Sequence, residues 1–85
     1  MAELTVSIVS ADSEVWTGTA SMVVARTTVG EIGLLPGHEP VLAILGSGEV
    51  RVTSEGRTIT ANADDGFLSF EHDTVTIVAR SAELV

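Results

Sequence analysis

The stretch Glu49-Val50-Arg51-Val52-Thr53-Ser54-Glu55-Gly56-Arg57-Thr58-Ile59-Thr60-Ala61-Asn62 decides the fold class. Val50 and Val52 alternate with Glu49, Arg51 and Thr53, while Ile59 and Ala61 alternate with Thr58, Thr60 and Asn62. A period of two places apolar side chains on one face of a strand and polar ones on the other. Between the two runs stands Glu55-Gly56, a spacing at which glycine supplies the positive φ of a two-residue hairpin loop. The segment therefore reads as two antiparallel strands with one wet face.

Outward from this hairpin the same rule holds. Leu4, Val6 and Ile8 alternate with Thr5 and Ser7; Leu68 and Phe70 with Ser69 and Glu71; Val75, Ile77 and Ala79 with Thr74, Thr76 and Arg80. Turn signals separate the runs at Ser10 to Glu14, Gly30 to Pro40, Gly46-Ser47-Gly48, Asn62 to Gly66 and His72-Asp73, the spacing of a sandwich or barrel. Asp65-Gly66 and His72-Asp73 are expected to close hairpins as Glu55-Gly56 does. From Trp16 to Thr28 a long Thr/Val/Ala run, with Val23 and Val24 adjacent, suits one strand buried on both faces or carrying a bulge. No sustained 3.6-residue period or capping box marks a helix. The expectation is an all-β protein of seven or eight strands with no substantial helix.

Composition sets limits on function. The chain has 85 residues, room for one domain spanning 1–85. Four arginines, no lysine and 12 carboxylates leave a formal charge of −8, which repels phosphate backbones and anionic headgroups. Nucleic acid is excluded as a partner on that ground. With no cysteine, packing of aliphatic side chains must supply the stability. The longest apolar run, Val41 to Leu45, is far shorter than the roughly 20 residues of a membrane span, and Met1-Ala2-Glu3 opens without a basic region. A soluble domain without membrane insertion is expected. The mean hydropathy of +0.41 is high for so small a domain. Two readings are open: a strand-forming Val/Ile/Thr composition, or an apolar face covered by a partner protein.

Chemistry-bearing residues are sparse. The two histidines, His38 and His72, lie in turn-like segments without a nucleophile elbow. His38-Glu39 and His72-Asp73 are adjacent pairs whose side chains diverge on an extended backbone, so no metal is expected. Gly30-Glu31-Ile32-Gly33 lacks the lysine of a phosphate-binding loop, and Asp64-Asp65 reads as a solvated turn. No catalytic residue, cofactor or small-molecule substrate is expected.

The segment Gly30-Glu31-Ile32-Gly33-Leu34-Leu35-Pro36-Gly37-His38-Glu39-Pro40-Val41-Leu42 is different. Pro36-Gly37 fits the central positions of a type II turn, and Pro40 pushes Glu39 into an extended conformation. Ile32, Leu34 and Leu35 are apolar where a loop should be polar. Either they plug one end of the sandwich, or a rigid loop presents Glu31 and His38 to another protein. This segment resembles the motif Gly-Glu-[Leu/Ile]-Gly-x-x-Pro-Gly-His-x-Pro-Leu-[Leu/Val] of the epsilon-subunit family of F-type ATP synthase, in its N-terminal β-sandwich domain. Leu4 to Ala11, Trp16-Thr17-Gly18, Asp65-Gly66-Phe67-Leu68 and Val75 to Ala79 extend the resemblance over nearly the whole chain. Asp65 departs from it, standing where the family usually has glycine.

The resemblance implies a flattened antiparallel sandwich of about ten short strands. It further implies a non-catalytic subunit of the F1 central stalk, peripheral on the cytoplasmic side of a bacterial cell membrane. Such a subunit docks the gamma subunit onto the c-ring and couples hydrogen ion transport to ATP synthesis. Glu31 matches the motif glutamate that faces the polar, typically arginine-bearing loops of the c subunits, with Gly30 and Gly33 shaping the approach. Ser10, His38 and Ala43 match positions on the gamma-facing side, where the apolar segment Val41 to Leu45, beginning Val41-Leu42, would supply buried area. Glu31→Arg is expected to spare the fold and weaken c-ring binding. The family's C-terminal helical hairpin has no counterpart in these residues, so neither ATP binding nor helix-mediated inhibition is expected. A carbohydrate- or peptide-binding sandwich module is the alternative reading, disfavoured because Trp16, Phe67 and Phe70 are the only aromatics.

Overall fold

A computed structural model describes residues 3–85; the opening Met1-Ala2 lies outside the described residues. Among the described residues there are seven strands: β1 (Leu4–Ser10), β2 (Glu14–Ala20), β3 (Met22–Thr27), β4 (Gly30–Leu34), β5 (Val41–Ser54), β6 (Arg57–Glu71) and β7 (Thr74–Leu84). They make one hydrogen-bonded sheet in the order β2-β1-β7-β6-β5-β3-β4. No helix occurs among the described residues.

Two of the three anticipated hairpins form, each at two consecutive residues with left-handed backbone, while the one expected at Asp65-Gly66 does not, because β6 continues through it. Ser54 pairs with Arg57 around Glu55 (φ 50°) and Gly56 (φ 77°), and Glu71 pairs with Thr74 around His72 (φ 49°) and Asp73 (φ 55°). Two consecutive positive-φ residues are the type I′ geometry that matches the strand twist. At His72-Asp73 the backbone is therefore left-handed rather than extended as the sequence suggested.

The sheet is a sandwich because of how its chain connects. β2 is one edge of the sheet and β3 is next to the other edge, yet only Ser21 separates them in sequence. The sheet must therefore fold over until its far sides meet. At the meeting point the Ser21 N–H donates to the Thr53 carbonyl at 2.8 Å, and the Ser54 hydroxyl donates to the Thr19 carbonyl at 2.6 Å. The Trp16 to Thr28 run is thus two strands with a corner between them, not one. The bulge lies at Val15, where Ile8 faces Trp16 but Val9 faces Glu14.

β5, β6 and β7 are long enough to serve both layers. In each, the inward alternation slips by one residue along a common line. Leu45 gives way to Val50 and Val52 in β5, Ala61 and Ala63 give way to Leu68 and Phe70 in β6, and Ala79 ends the inward run of β7. Pairing register is unchanged across that line, with Leu45 opposite Gly66 and Ser47 opposite Asp64. This corrects the expected turns at Gly46-Ser47-Gly48 and Asn62 to Gly66. Asp65 (φ 53°) bends a continuous strand, and Asp64 accepts from the Ser47 hydroxyl at 2.6 Å. At Gly66 a Cβ would stand 1.9 Å from the Val78 carbonyl oxygen, so glycine is required by close approach of β7. The count of about ten short strands becomes seven because these bends interrupt side-chain alternation without ending the strands.

One pairing departs from the antiparallel expectation: β1 and β7 run parallel, Val6 opposite Val75 and Ile8 opposite Ile77. They come from opposite ends of the chain, so no short turn dictates their direction. The alternating residues read from sequence converge on the core, with Leu4, Val6, Ile8, Leu68, Val75 and Ile77 all fully buried. At about 1.5–3 kcal/mol for each large aliphatic side chain taken from water, this packing is the main stabilising term.

Candidate functional site

Gly30 to Leu34 is not a loop but the edge strand β4, hairpinned to β3 through Thr28-Val29. Its sequence alternates, so Ile32 packs against the core and Leu34 is fully buried, while Glu31 and Gly33 face outward. The plug reading holds for Ile32 and Leu34 but not for Leu35, which is exposed. The turn is fixed by Thr27, whose hydroxyl donates to the Gly30 carbonyl at 2.7 Å and accepts from the Val29 N–H at 3.2 Å. Gly30 has φ 127°, a conformation that disfavours side chains.

On the outer face of this layer Glu31 stands opposite Arg26, and Glu49 opposite Asn62, which itself faces Glu83. Arg51 reaches diagonally to Glu31 at 3.0 Å and to Glu49 at 3.6 Å. The Arg26 stem lies over Gly48, where a Cβ would be 3.1 Å away. The surface is polar and half exposed.

The other layer presents the opposite chemistry. Ile44, Phe67, Val78 and Val9 form one cross-strand row on its outer face, beside Leu42. Leu42 is 70% exposed and Ile44 58%. Leu42 and Ile44 both belong to the Val41 to Leu45 segment that the sequence assigns to a partner-facing side, and as even positions of one strand they share a face; Phe67 is the addition the structure makes. Val41 and Ala43 are half buried and share the inner face with Phe70 and Leu68. Ile32 and Glu31 line one groove with Leu42 and Ile44, and the Thr28 N–H donates to the Ile44 carbonyl at 3.0 Å. Gly30, Glu31, Val41, Leu42 and Ala43 are thus brought together around that groove, with Gly33 further along β4.

His38 and Ser10 sit apart from each other. The type II turn forms, with Gly37 at φ 88° and the His38 N–H donating to the Leu35 carbonyl at 3.1 Å. The exposed His38 ring meets Phe70 edge-on at 5.5 Å. Ser10, half buried at the end of β1, donates from its N–H to the Ser13 carbonyl at 2.8 Å. Its row of the sheet is four residues, about 13 Å, along the strands from the row of Val41 and Phe70. Among the described residues no group of three or more His, Asp or Glu side chains is arranged to hold a metal ion.

Residues 3–85 match the family described as ATP synthase, Delta/Epsilon chain, beta-sandwich domain. The chain belongs to that family. The resemblance read from Gly30 to Leu42 is borne out. The ATP synthase epsilon chain of Micrococcus luteus is 59% identical over 85 residues, covering 99% of this chain and 93% of that protein. The epsilon chain of Frankia casuarinae is 54% identical over 80 residues, 93% of this chain and 94% of that protein. The epsilon chain of Streptomyces griseus is 52% identical over 84 residues, 98% of this chain and 68% of that one. Within the Euglena gracilis mitochondrial ATP synthase, OSCP/F1/c-ring, a solved chain superposes with a TM-score of 0.91. That match covers 99% of this chain and 54% of the other at 24% identity, a likeness of fold. In this member of the family the sandwich has one polar outer face bearing Glu31 and one apolar outer face bearing Leu42.

Proposed function

We propose that this chain is a non-catalytic central-stalk subunit of a proton-translocating F-type ATP synthase. It docks the gamma subunit onto the c-ring, and the stalk couples proton flow to ATP synthesis. The observation that carries this reading is the build of the Gly30 to Leu42 motif. Glu31 and Gly33 face outward on the edge strand β4, and Glu31 stands across a groove from the outward Leu42 and Ile44. Charged groups on one side and exposed aliphatic ones on the other suit a domain held between two partners.

In this reading Gly30, Glu31 and Gly33 meet the polar loops of the c-ring. Leu42 supplies apolar contact to gamma, with Val41 and Ala43 behind it and Ser10 and His38 at the margins. The subunit sits peripherally on the cytoplasmic side of the bacterial cell membrane as part of the complex, and it binds no ATP. Family membership supports the assignment. Co-expression with the gamma subunit of the same organism tests it, since a stalk subunit co-elutes as a one-to-one complex that then retains the c-ring. Separate elution of the two chains contradicts the stalk reading, whereas specific ATP binding by isothermal titration contradicts only the statement that it binds no ATP.

A further inference from the structure

One guanidinium on the polar outer face has two carboxylates within reach. Arg51 stands opposite Val24 in β3, whereas Glu31 stands opposite Arg26, so their 3.0 Å contact crosses β3 diagonally. The nearer guanidinium in register, Arg26, makes no ion pair among the described residues. Arg51 binds Glu31 through one terminal nitrogen and approaches Glu49 at 3.6 Å through Nε. The two carboxylates use different nitrogens, so losing one contact does not disturb the other. All three side chains are about half exposed, at 45% for Arg51 and 53% for each glutamate. At that exposure an ion pair is weak and easily exchanged. Glu31 lies on β4, beyond which the sheet has no further strand among the described residues, so an incoming side chain reaches it without displacing backbone.

We propose that Arg51 is an exchange partner for Glu31: it holds the carboxylate in position on the free edge and stays paired with Glu49 when a basic side chain of the docking partner takes Glu31. The inference rests on the reading of Glu31 as the c-ring-facing carboxylate. Glu49 keeps Arg51 paired after the exchange, so docking leaves no guanidinium stranded between the two proteins. A guanidinium with two acceptors thereby tunes the affinity of a contact in which it takes no direct part.

The test titrates detergent-solubilised c-ring of the same organism onto the immobilised gamma complex of this chain, at low and high ionic strength. Glu31→Gln weakens binding. Arg51→Gln, which removes the internal competitor, tightens it about two- to five-fold at low salt, and the difference shrinks as salt screens both contacts. Glu49→Gln weakens binding by a similar factor because Arg51 then has no second acceptor, and this effect disappears when it is combined with Arg51→Gln. A purely structural role for Arg51 would not produce that coupling or its salt dependence. If Glu31→Gln weakens binding while Arg51→Gln leaves it unchanged or weaker, the exchange is overturned and the c-ring reading stands. If Glu31→Gln has no effect, both fail.

Discussion

The carboxylate of Asp73 accepts a hydrogen bond from the Gly37 N–H at 2.7 Å, tying the tight turn after β4 to the hairpin between β6 and β7, 36 positions away. The Asp73 carbonyl also accepts from the Thr5 N–H at 2.9 Å. One residue therefore joins the start of β1, the β6–β7 turn and the Pro36-Gly37 turn, and it does so with left-handed backbone that aspartate tolerates better than most residues.

Asp73→Ala loses both the acceptor and that tolerance. A destabilisation of about 1–2 kcal/mol is expected, measured by urea unfolding, together with faster amide exchange at Gly37. Asp73→Asn keeps an acceptor oxygen and the left-handed preference, so it should cost clearly less. Unchanged amide exchange at Gly37 in Asp73→Ala would show that the Gly37 contact contributes nothing.

Gly66 is constrained more severely. A Cβ there would lie 1.9 Å from the Val78 carbonyl oxygen and 2.6 Å from Ala79 Cα, both backbone atoms that can move only if β7 shifts. Gly66→Ala should therefore cost more than about 3 kcal/mol, in the range of severe overpacking, and in thermal unfolding the variant should melt far below the parent or not fold. Gly46→Ala, on the neighbouring strand, meets only the Thr28 methyl at 3.6 Å and should be tolerated.

That contrast explains what could be read in advance. The inward sets Leu4/Val6/Ile8, Val50/Val52 and Val75/Ile77 were legible because burial on one face enforces a period of two. The bends were not, because Gly46, Asp65 and Gly66 are the residue types that also make turns, and a single sequence does not separate a bent strand from a reversed one. In sequence β4 reads as a loop because its glycines and the following Pro36-Gly37 outweigh the alternation of Ile32 and Leu34. Glu31 was found through its motif. Its partner Arg51 was not, since a diagonal contact over 20 positions depends on a register set by β3. Likewise nothing local in His72-Asp73 announces that its aspartate reaches Gly37.

Gly33 separates stability from docking. It lies on the outward side of β4 with nothing within 4 Å of a built Cβ and no positive φ. Glycine in a strand interior costs roughly 0.5–1 kcal/mol relative to alanine, so Gly33→Ala should leave the melting temperature unchanged or raised. If close approach of the c-ring is what glycine serves there, the same variant should retain less c-ring in the complex with gamma. A variant that is both stable and fully competent would remove Gly33 from the interface.

Leu42 makes the corresponding case for the apolar layer. It is 70% exposed and stands on the same outer face as Ile44 and Phe67, which pair with each other across β5 and β6. An exposed leucine contributes little to the fold, so Leu42→Ser should change stability by no more than about 0.5 kcal/mol. At the centre of a protein interface the same truncation removes desolvated contact area, and a loss on the order of ten-fold in affinity for gamma is expected. Serine at Val41 provides the control: that side chain packs against the core, so Val41→Ser should lower the melting temperature itself. Comparing the two by unfolding and by titration with gamma distinguishes a face made for contact from one that merely tolerates water. If Leu42→Ser binds gamma as tightly as the parent chain, the gamma contact must lie elsewhere on the sandwich.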